Sequence, residues 1–359
     1  MSNSNRMLNA SVDTAVDSSV DAPAPPYAGL TPHVVLDALE SVGIPCDGRL
    51  IALNSYENRV YQAWRDTDTD AAGAAGATGD RVVVKFYRPG RWSDAAIAEE
   101  HVFVAELAER EIPVVPPMSF GGETLKLFDA FRFAVYPRCA GRAPELEDPE
   151  ALRWMGRFLG RIHAIGATRA FTERPVLDVR SFGDAPRQWL LDSDYLPRDL
   201  RASWDAAATM AIDGARRAWD RAGAFDTLRL HGDCHAGNVL WDAEGPHFVD
   251  FDDARTGPAI QDLWMLLSGD RAAMELQLGT VLQGYEQFRE FDDRELHLVE
   301  ALRTLRLLHY SGWIAQRWSD PAFPAAFPWF NTQRYWQDRI LELKEQIALM
   351  DERPLRPAS

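Results

Sequence analysis

The run His231-Gly232-Asp233-Cys234-His235-Ala236-Gly237-Asn238, followed twelve residues after Asn238 by Asp250 within Phe248-Val249-Asp250-Phe251-Asp252-Asp253, constrains this chain more than any other feature. Asp233 is a carboxylate on a tight loop. Asn238, five residues on, offers an amide oxygen, and Asp250 a full negative charge. The last two are hard oxygen donors, suited to Mg²⁺ held by few protein groups plus nucleotide phosphates. Moving the γ-phosphoryl group of ATP needs such charge neutralisation, and a carboxylate placed to receive the proton of the attacking hydroxyl. Asp233, Asn238 and Asp250 therefore read as one constellation, with Asp233 as proton acceptor and the other two as metal ligands.

A chain of 359 residues, 46% of them apolar, exceeds the usual size of one domain, so two lobes with a cleft between them are expected. The net charge of −16, from 54 acidic against 38 basic residues, argues against a nucleic-acid-binding surface. The expected partners are small molecules or other proteins. Cys46, Cys139 and Cys234 are too few and too scattered for a disulfide framework and read as reduced thiols. No basic region leads into an apolar segment at the N-terminus, and no window approaches a membrane span, so a cytoplasmic, soluble protein with no membrane partner is expected. A monomer is the simplest expectation.

Residues 1–27 are rich in Ser, Asn, Asp, Ala and Pro, and are expected to form a disordered tail. Residues 28–137 are expected to form an N-terminal lobe, 138–350 a C-terminal lobe and 351–359 a short tail. Thr31 followed by Pro32 signals a first helix ending near Gly43. Strand-like runs follow at Leu50–Asn54, Arg59–Arg65 and Arg81–Tyr87, with a Gly/Ala-rich stretch from Asp66 to Asp80 as a hairpin tip. A helix over Ser93–Glu111 and a strand pair, Leu125–Phe128 and Phe131–Tyr136, complete the first lobe. From Asp148 the pattern is mostly helical, broken by the 231–238 loop and by short strands at Val239–Trp241 and His247–Val249.

Lys85 ends the run Val82-Val83-Val84-Lys85, where a cation on a buried third strand can hold the α- and β-phosphates of a nucleotide. On the following helix Glu100 shares the inward face of Ile97, Val104 and Leu107, and is the expected partner of Lys85. The hairpin Leu53-Asn54-Ser55-Tyr56-Glu57-Asn58-Arg59-Val60 would lie over the phosphates, with the Ser55 hydroxyl and the Asn58 amide as donors. It contains no glycine. The adenine is expected against Tyr136-Pro137-Arg138-Cys139.

With these segments together, the chain resembles the aminoglycoside-phosphotransferase and homoserine-kinase-like relatives of protein kinases and, within them, the bacterial stress-response kinases. The residues that carry the resemblance are 54–61, Val84-Lys85-Phe86-Tyr87-Arg88-Pro89, the 231–238 loop, Phe248-Val249-Asp250, and Gly257-Pro258-Ala259-Ile260-Gln261-Asp262-Leu263-Trp264-Met265. The resemblance implies an α+β, bilobal protein-kinase-like fold of the aminoglycoside-phosphotransferase type, with a small antiparallel sheet lobe before a larger helical one. It also implies ATP- and Mg²⁺-dependent phosphorylation of serine and threonine hydroxyls on proteins, in surviving envelope or oxidative stress. By the same resemblance Asp233 matches the proton acceptor, Asn238 and Asp250 the metal ligands, and Ser55 a residue implicated in ATP binding. Two features depart from protein kinases: Asp252 stands where a D-F-G glycine would be, and no long activation segment precedes the helix near Asp262.

Each assignment has a plainer competitor. Asp252 and Asp253 either assist the metal or form a solvated acidic turn. Asp262 is expected to support the loop backbone or cap a helix. His101, His163 and His309 fall in apolar helical patterns and read as core or surface histidines. The aromatic residues Trp313, Trp318, Phe323, Phe327, Trp329 and Phe330 read first as core and second as a substrate groove. Acceptors other than proteins stay open, since kinases of aminoglycosides, choline and homoserine present a hydroxyl to the same machinery. Two further alternatives are a zinc hydrolase built on His231, Asp233 and His235, and a nucleotide-binding pseudokinase.

Overall fold

Thr31 caps the first helix, α1 (Pro32–Ser41), its side chain accepting from the Val34 amide while Pro32 fills the first helical turn, where no amide donor is needed. The computed structural model describes residues 25–66 and 80–358. The tail expected over residues 1–27, as far as residue 24, and residues 67–79 of the hairpin tip lie outside the described residues.

Three strands follow α1: β1 (Cys46–Ala52), β2 (Arg59–Arg65) and β3 (Arg81–Phe86). β1 begins four residues before the expected Leu50. Its first half is polar and its register with β2 is broken by a bulge between Cys46 and Leu50, which hides the alternation that marks a strand. The long helix α2 (Asp94–Glu109), capped by Ser93, then leads to β4 (Lys126–Phe128) and β5 (Phe131–Pro137). The five strands form one antiparallel sheet in the order β1-β2-β3-β5-β4. β3 is central and is buried at four of its six positions, Val82, Val84, Lys85 and Phe86. Val35, Leu39, Val82, Val84, Phe86, Phe133 and Val135 pack together beneath it.

The second lobe is helical: α3 (Pro149–Gly166), α4 (Ala185–Asp192), α5 (Arg201–Ala222), α6 (Ile260–Trp264), α7 (Arg271–Tyr285), α8 (Val299–Gln316), α9 (Ala322–Ala326) and α10 (Gln333–Met350). Between α5 and α6 the chain forms two small ribbons, β6 (Leu228–Leu230) with β9 (Arg255–Gly257) and β7 (Val239–Asp242) with β8 (Gly245–Phe248). They carry the 231–238 loop and Asp250. α3 and α7 approach so closely that a Cβ on Gly156 would fall 2.0 Å from the Val281 carbonyl oxygen, so glycine is what lets these helices meet. The aromatic residues of the 313–330 stretch join the core expected of them, with Phe323, Phe327 and Phe330 buried, although Trp329 is largely exposed. No helix among the described residues is long and apolar enough to cross a membrane.

Candidate active site

The 231–238 loop is held from behind. The fully buried Asp262 carboxylate accepts from the His231 amide at 2.9 Å and the Gly232 amide at 2.8 Å, and its Oδ2 lies 3.1 Å from His163 Nε2. Burial by itself would raise the Asp262 carboxyl, but hydrogen bonds from His163 and the Gly232 backbone hold it below the usual carboxylate range. Asp262 thus supports the loop from inside α6. His163, which sequence alone left without a partner, bridges it to the Tyr285 hydroxyl at 3.0 Å. Gly232 has φ +85°, and a Cβ there would meet the Asp253 carbonyl at 2.1 Å, so only glycine lets the loop pass this close to the 250–253 turn.

On the cleft side of the loop, Asp233 is partly exposed. Arg306 of α8 donates to its Oδ1 at 2.6 Å, and His235 Nε2 is 3.5 Å from its Oδ2. Asn238 donates its amide nitrogen to the Asp233 carbonyl at 2.9 Å, which turns its amide oxygen the other way. The Asn238 carbonyl in turn accepts from the Val249 amide at 3.0 Å, so the end of β8 lies against the loop and brings Asp250 to it. Asp250 is left-handed, with φ 60° and ψ 62°, and its carboxylate is about half exposed.

Lys85 reaches this point from β3: its ammonium is 2.9 Å from Asp250 Oδ1 and 3.3 Å from Asp252 Oδ1. Burial disfavours its charge, yet Asp250, Asp252 and Glu100 outweigh burial and hold the ammonium well above the ordinary lysine range. The four residues Lys85, Asp233, Asn238 and Asp250 therefore converge at one mouth between sheet and helices.

Three expectations need correction. Glu100 is buried and faces inward, but its carboxylate pairs with Arg174 at 2.6 Å, and Lys85 takes Asp250 and Asp252 instead. The cause is Arg174, 74 residues along the chain, which places a guanidinium nearer to Glu100 and also donates to the Asp252 carbonyl at 2.8 Å. Asn58 is buried, and its side-chain oxygen accepts from the Arg88 amide at 3.1 Å. Ser55 donates to the Asn58 carbonyl at 3.1 Å, so both residues close the glycine-free turn on itself. Nor is Asp252-Asp253 a solvated acidic turn. Asp252 is buried and pairs with Arg91 as well as Lys85, and Asp253 pairs with Arg91 at 2.8 Å and Arg255 at 2.7 Å. Burial would raise the Asp252 carboxyl, but Arg91 and Lys85 bring it down to about 2.

Sequence reasoning missed Arg91, Arg174 and Arg306, which lie far along the chain from the residues they serve and carry no local signal. It also missed a second junction between the lobes. Glu57, next to Asn58, accepts from Trp313 Nε1 at 2.5 Å and pairs with Arg317, while Asp320 pairs with Arg59 and Arg88 at 2.9 Å each.

The available oxygens fit a hard divalent cation. The Asp250 carboxylate has an exposed side, the Asn238 amide oxygen is turned from its own loop, and buried Asp252 Oδ1 has an ion-pair contact but no hydrogen bond. The zinc alternative lacks its donors: His231 Nε2 lies 2.9 Å from the Val249 carbonyl, and no group of three or more His, Cys, Asp or Glu able to hold a metal occurs among the described residues. Cys234 is fully buried, and burial pushes its thiol well up, which removes it as a nucleophile.

The sequence pattern of the phosphotransferase enzyme family matches residues 49–299, which include every residue of this mouth except Arg306. The chain belongs to the phosphotransferase enzyme family. Within that phosphotransferase family it is 44% identical over 330 residues to the stress response kinase A of Salmonella choleraesuis strain SC-B67, covering 92% of this chain and 96% of that one. It is equally similar, over the same shares, to the serine/threonine protein kinase RdoA of Salmonella typhimurium strain LT2. Among solved structures, an amicoumacin kinase in complex with AMP-PNP, Ca²⁺ and Ami superposes with a TM-score of 0.67 at 18% identity, over 91% of this chain and 95% of that one. The bilobal α+β architecture of this phosphotransferase is thus the fold that the resemblance implied.

Proposed function

We propose that this phosphotransferase is an ATP- and Mg²⁺-dependent serine/threonine protein kinase that acts in stress response. The observation that carries the reading is 44% identity across nearly the whole chain to proteins named stress response kinase A and serine/threonine protein kinase. The mouth supports it, because a base, a phosphate-side cation and two hard oxygen donors face one space. In this reading Lys85 binds the nucleotide phosphates, and Asn238 and Asp250 hold Mg²⁺, which supplies charge neutralisation on the phosphate oxygens. The glycine-free turn covers the phosphates through backbone amides held in place by Ser55 and Asn58. Adenine lies against Tyr136–Cys139.

Asp233 orients the acceptor hydroxyl and takes its proton as the oxygen bonds to the γ-phosphorus and ADP leaves. Asp262 and His163 keep the Asp233 loop in register, and the Arg174–Glu100 pair keeps α2 against the 250–253 turn. Positioning and electrostatics then supply most of the rate. Incubating the purified chain with labelled ATP and a bacterial extract split by size tests the reading. Label on serine and threonine of protein bands is expected. Label confined to the small-molecule fraction would overturn protein specificity in favour of a small hydroxylated acceptor.

A further inference from the structure

Arg306 donates to Asp233 Oδ1 at 2.6 Å while its side chain stays 40% exposed, and this is its one ion pair among the described residues. A pair so open to water contributes little to stability, so its value to the fold does not account for a guanidinium on the proton acceptor. The other guanidiniums around the mouth are committed. Arg174 is buried against Glu100, Arg91 against Asp252 and Asp253, and Arg255 against Asp253. Lys85, on the nucleotide side, is buried between Asp250 and Asp252. Arg306 alone of these cations combines an exposed side chain with a single carboxylate partner, so one exchange of partner sets it free.

Asp233 does not need Arg306 to stay in place. His235 Nδ1 accepts from the Gly237 amide at 3.0 Å, which leaves the proton of a neutral imidazole on Nε2, 3.5 Å from Asp233 Oδ2. The loop thus orients the carboxylate from its Oδ2 side, and Oδ1 is the oxygen that Arg306 occupies. An attacking hydroxyl comes within about 2.6–3.2 Å of its base and about 3–3.5 Å of the phosphorus it attacks, which makes the γ-phosphoryl oxygens neighbours of a guanidinium already on Asp233. The backbone of Arg306 is fixed for this. α8 is held by buried Leu302, Leu305 and Leu308, and Trp313 and Arg317 tie it to Glu57 in the glycine-free turn. The family pattern ends at residue 299, where α8 starts, so this guanidinium lies outside the matched machinery.

We propose that Arg306 is a catalytic residue: it leaves Asp233 Oδ1 for the γ-phosphoryl oxygens as the acceptor hydroxyl takes its place, and neutralises the charge that spreads over them. This rests on the kinase reading above. The hydroxyl oxygen bonds to the γ-phosphorus and its proton passes to Asp233 Oδ1. The bond from that phosphorus to the β,γ-bridging oxygen breaks, its electron pair stays with the bridging oxygen, and ADP departs. Because Arg306 rests on Asp233 until the hydroxyl arrives, its contribution falls on the transition state and not on ATP binding.

The test is phosphotransfer from labelled Mg²⁺·ATP to whichever fraction of a bacterial extract takes label, with ATP varied at fixed extract. Arg306→Ala is expected to lower the limiting rate by about 10²–10³, the scale of one preorganised donor on a developing oxyanion, with KM for ATP within a few-fold of wild type. Arg306→Lys is expected to fall between them, because an ammonium supplies charge without the planar fork. Guanidinium ion added to Arg306→Ala is expected to restore part of the rate, since the vacated site opens to solvent, and to make neither wild type nor Asp233→Asn faster. Calorimetric binding of Mg²⁺·ATP checks that each variant is folded. A limiting rate within a few-fold of wild type, a loss confined to KM for ATP, or a loss that guanidinium leaves unchanged would overturn the role. A slow Arg306→Ala rescued by guanidinium, beside an unimpaired Asp233→Asn, would uphold Arg306 and remove Asp233 as proton acceptor. No label in any fraction with wild type would overturn the kinase reading, and this inference with it.

Discussion

Lys85 Nζ and Asp250 Oδ1 stand 2.9 Å apart although 165 positions separate them in the sequence. This contact joins the central strand of the sheet to the turn after β8. Asp250 makes it from a left-handed conformation, which costs most residues energy but which aspartate and asparagine adopt readily.

Asp250→Asn should therefore fold, with a melting temperature within a few degrees of wild type. Its neutral amide should weaken Mg²⁺-dependent ATP binding by at least an order of magnitude, because a neutral oxygen replaces a carboxylate on a hard cation. Titrating ATP by calorimetry at fixed Mg²⁺ checks this. A binding curve equal to wild type would remove Asp250 from the metal site.

The Glu100–Arg174 pair is buried on both sides. Glu100→Gln leaves the Arg174 guanidinium short of a counter-charge, with the Asp252 carbonyl as its remaining polar contact at 2.8 Å, and should cost about 3–5 kcal/mol in urea unfolding. Replacing both, Glu100→Gln with Arg174→Met, should recover part of that loss, since no buried charge is then left unpaired. A double variant weaker than the single one would contradict the pairing.

His101 is buried between the Tyr87 hydroxyl at 2.7 Å and the Thr124 hydroxyl at 2.8 Å. Burial, then the charges of Lys85 and Arg174, bring its pKa down from 6.5 to about 3. Between those values the unfolded chain binds a proton that the folded one does not, so stability falls as pH drops below 6.5, by about 1.4 kcal/mol per pH unit. Glu295 works in the opposite sense. Burial lifts it from 4.5 to about 7, so its contribution is present below 4.5 and is lost as pH rises to 7. Comparing His101→Gln with wild type isolates the histidine: the variant's deficit should shrink by about that slope as pH goes from 6.5 to 5. A constant deficit would contradict the neutral, buried histidine.

The parts legible in the sequence are those whose cause is local. α1 and α2 were marked by Thr31 with Pro32 and by Ser93, β2 and β3 by β-branched and aromatic runs, and the loop 231–238 by chemistry that leaves few alternatives. The start of β1 was not legible, because a bulge breaks its alternation. Glu100 was placed correctly on the inner face of α2, but its partner was not, since helical spacing gives direction and not the cation that another segment brings. Arg174 arrives because Glu99 accepts the backbone amides of residues 172, 173 and 174, a contact across 73 to 75 positions. Arg306 was invisible for the same reason: only the packing of α8 beside the loop makes it a neighbour of Asp233.

The central claim is that Asp233 accepts the proton of the attacking hydroxyl. It is tested most directly by single-turnover phosphotransfer from labelled ATP in Asp233→Asn, with ATP affinity measured on the same preparation. The account predicts that affinity stays within a few-fold of wild type while the phosphotransfer rate drops by about 10²–10⁴. Phosphotransfer at the wild-type rate in a variant that binds ATP normally would contradict it.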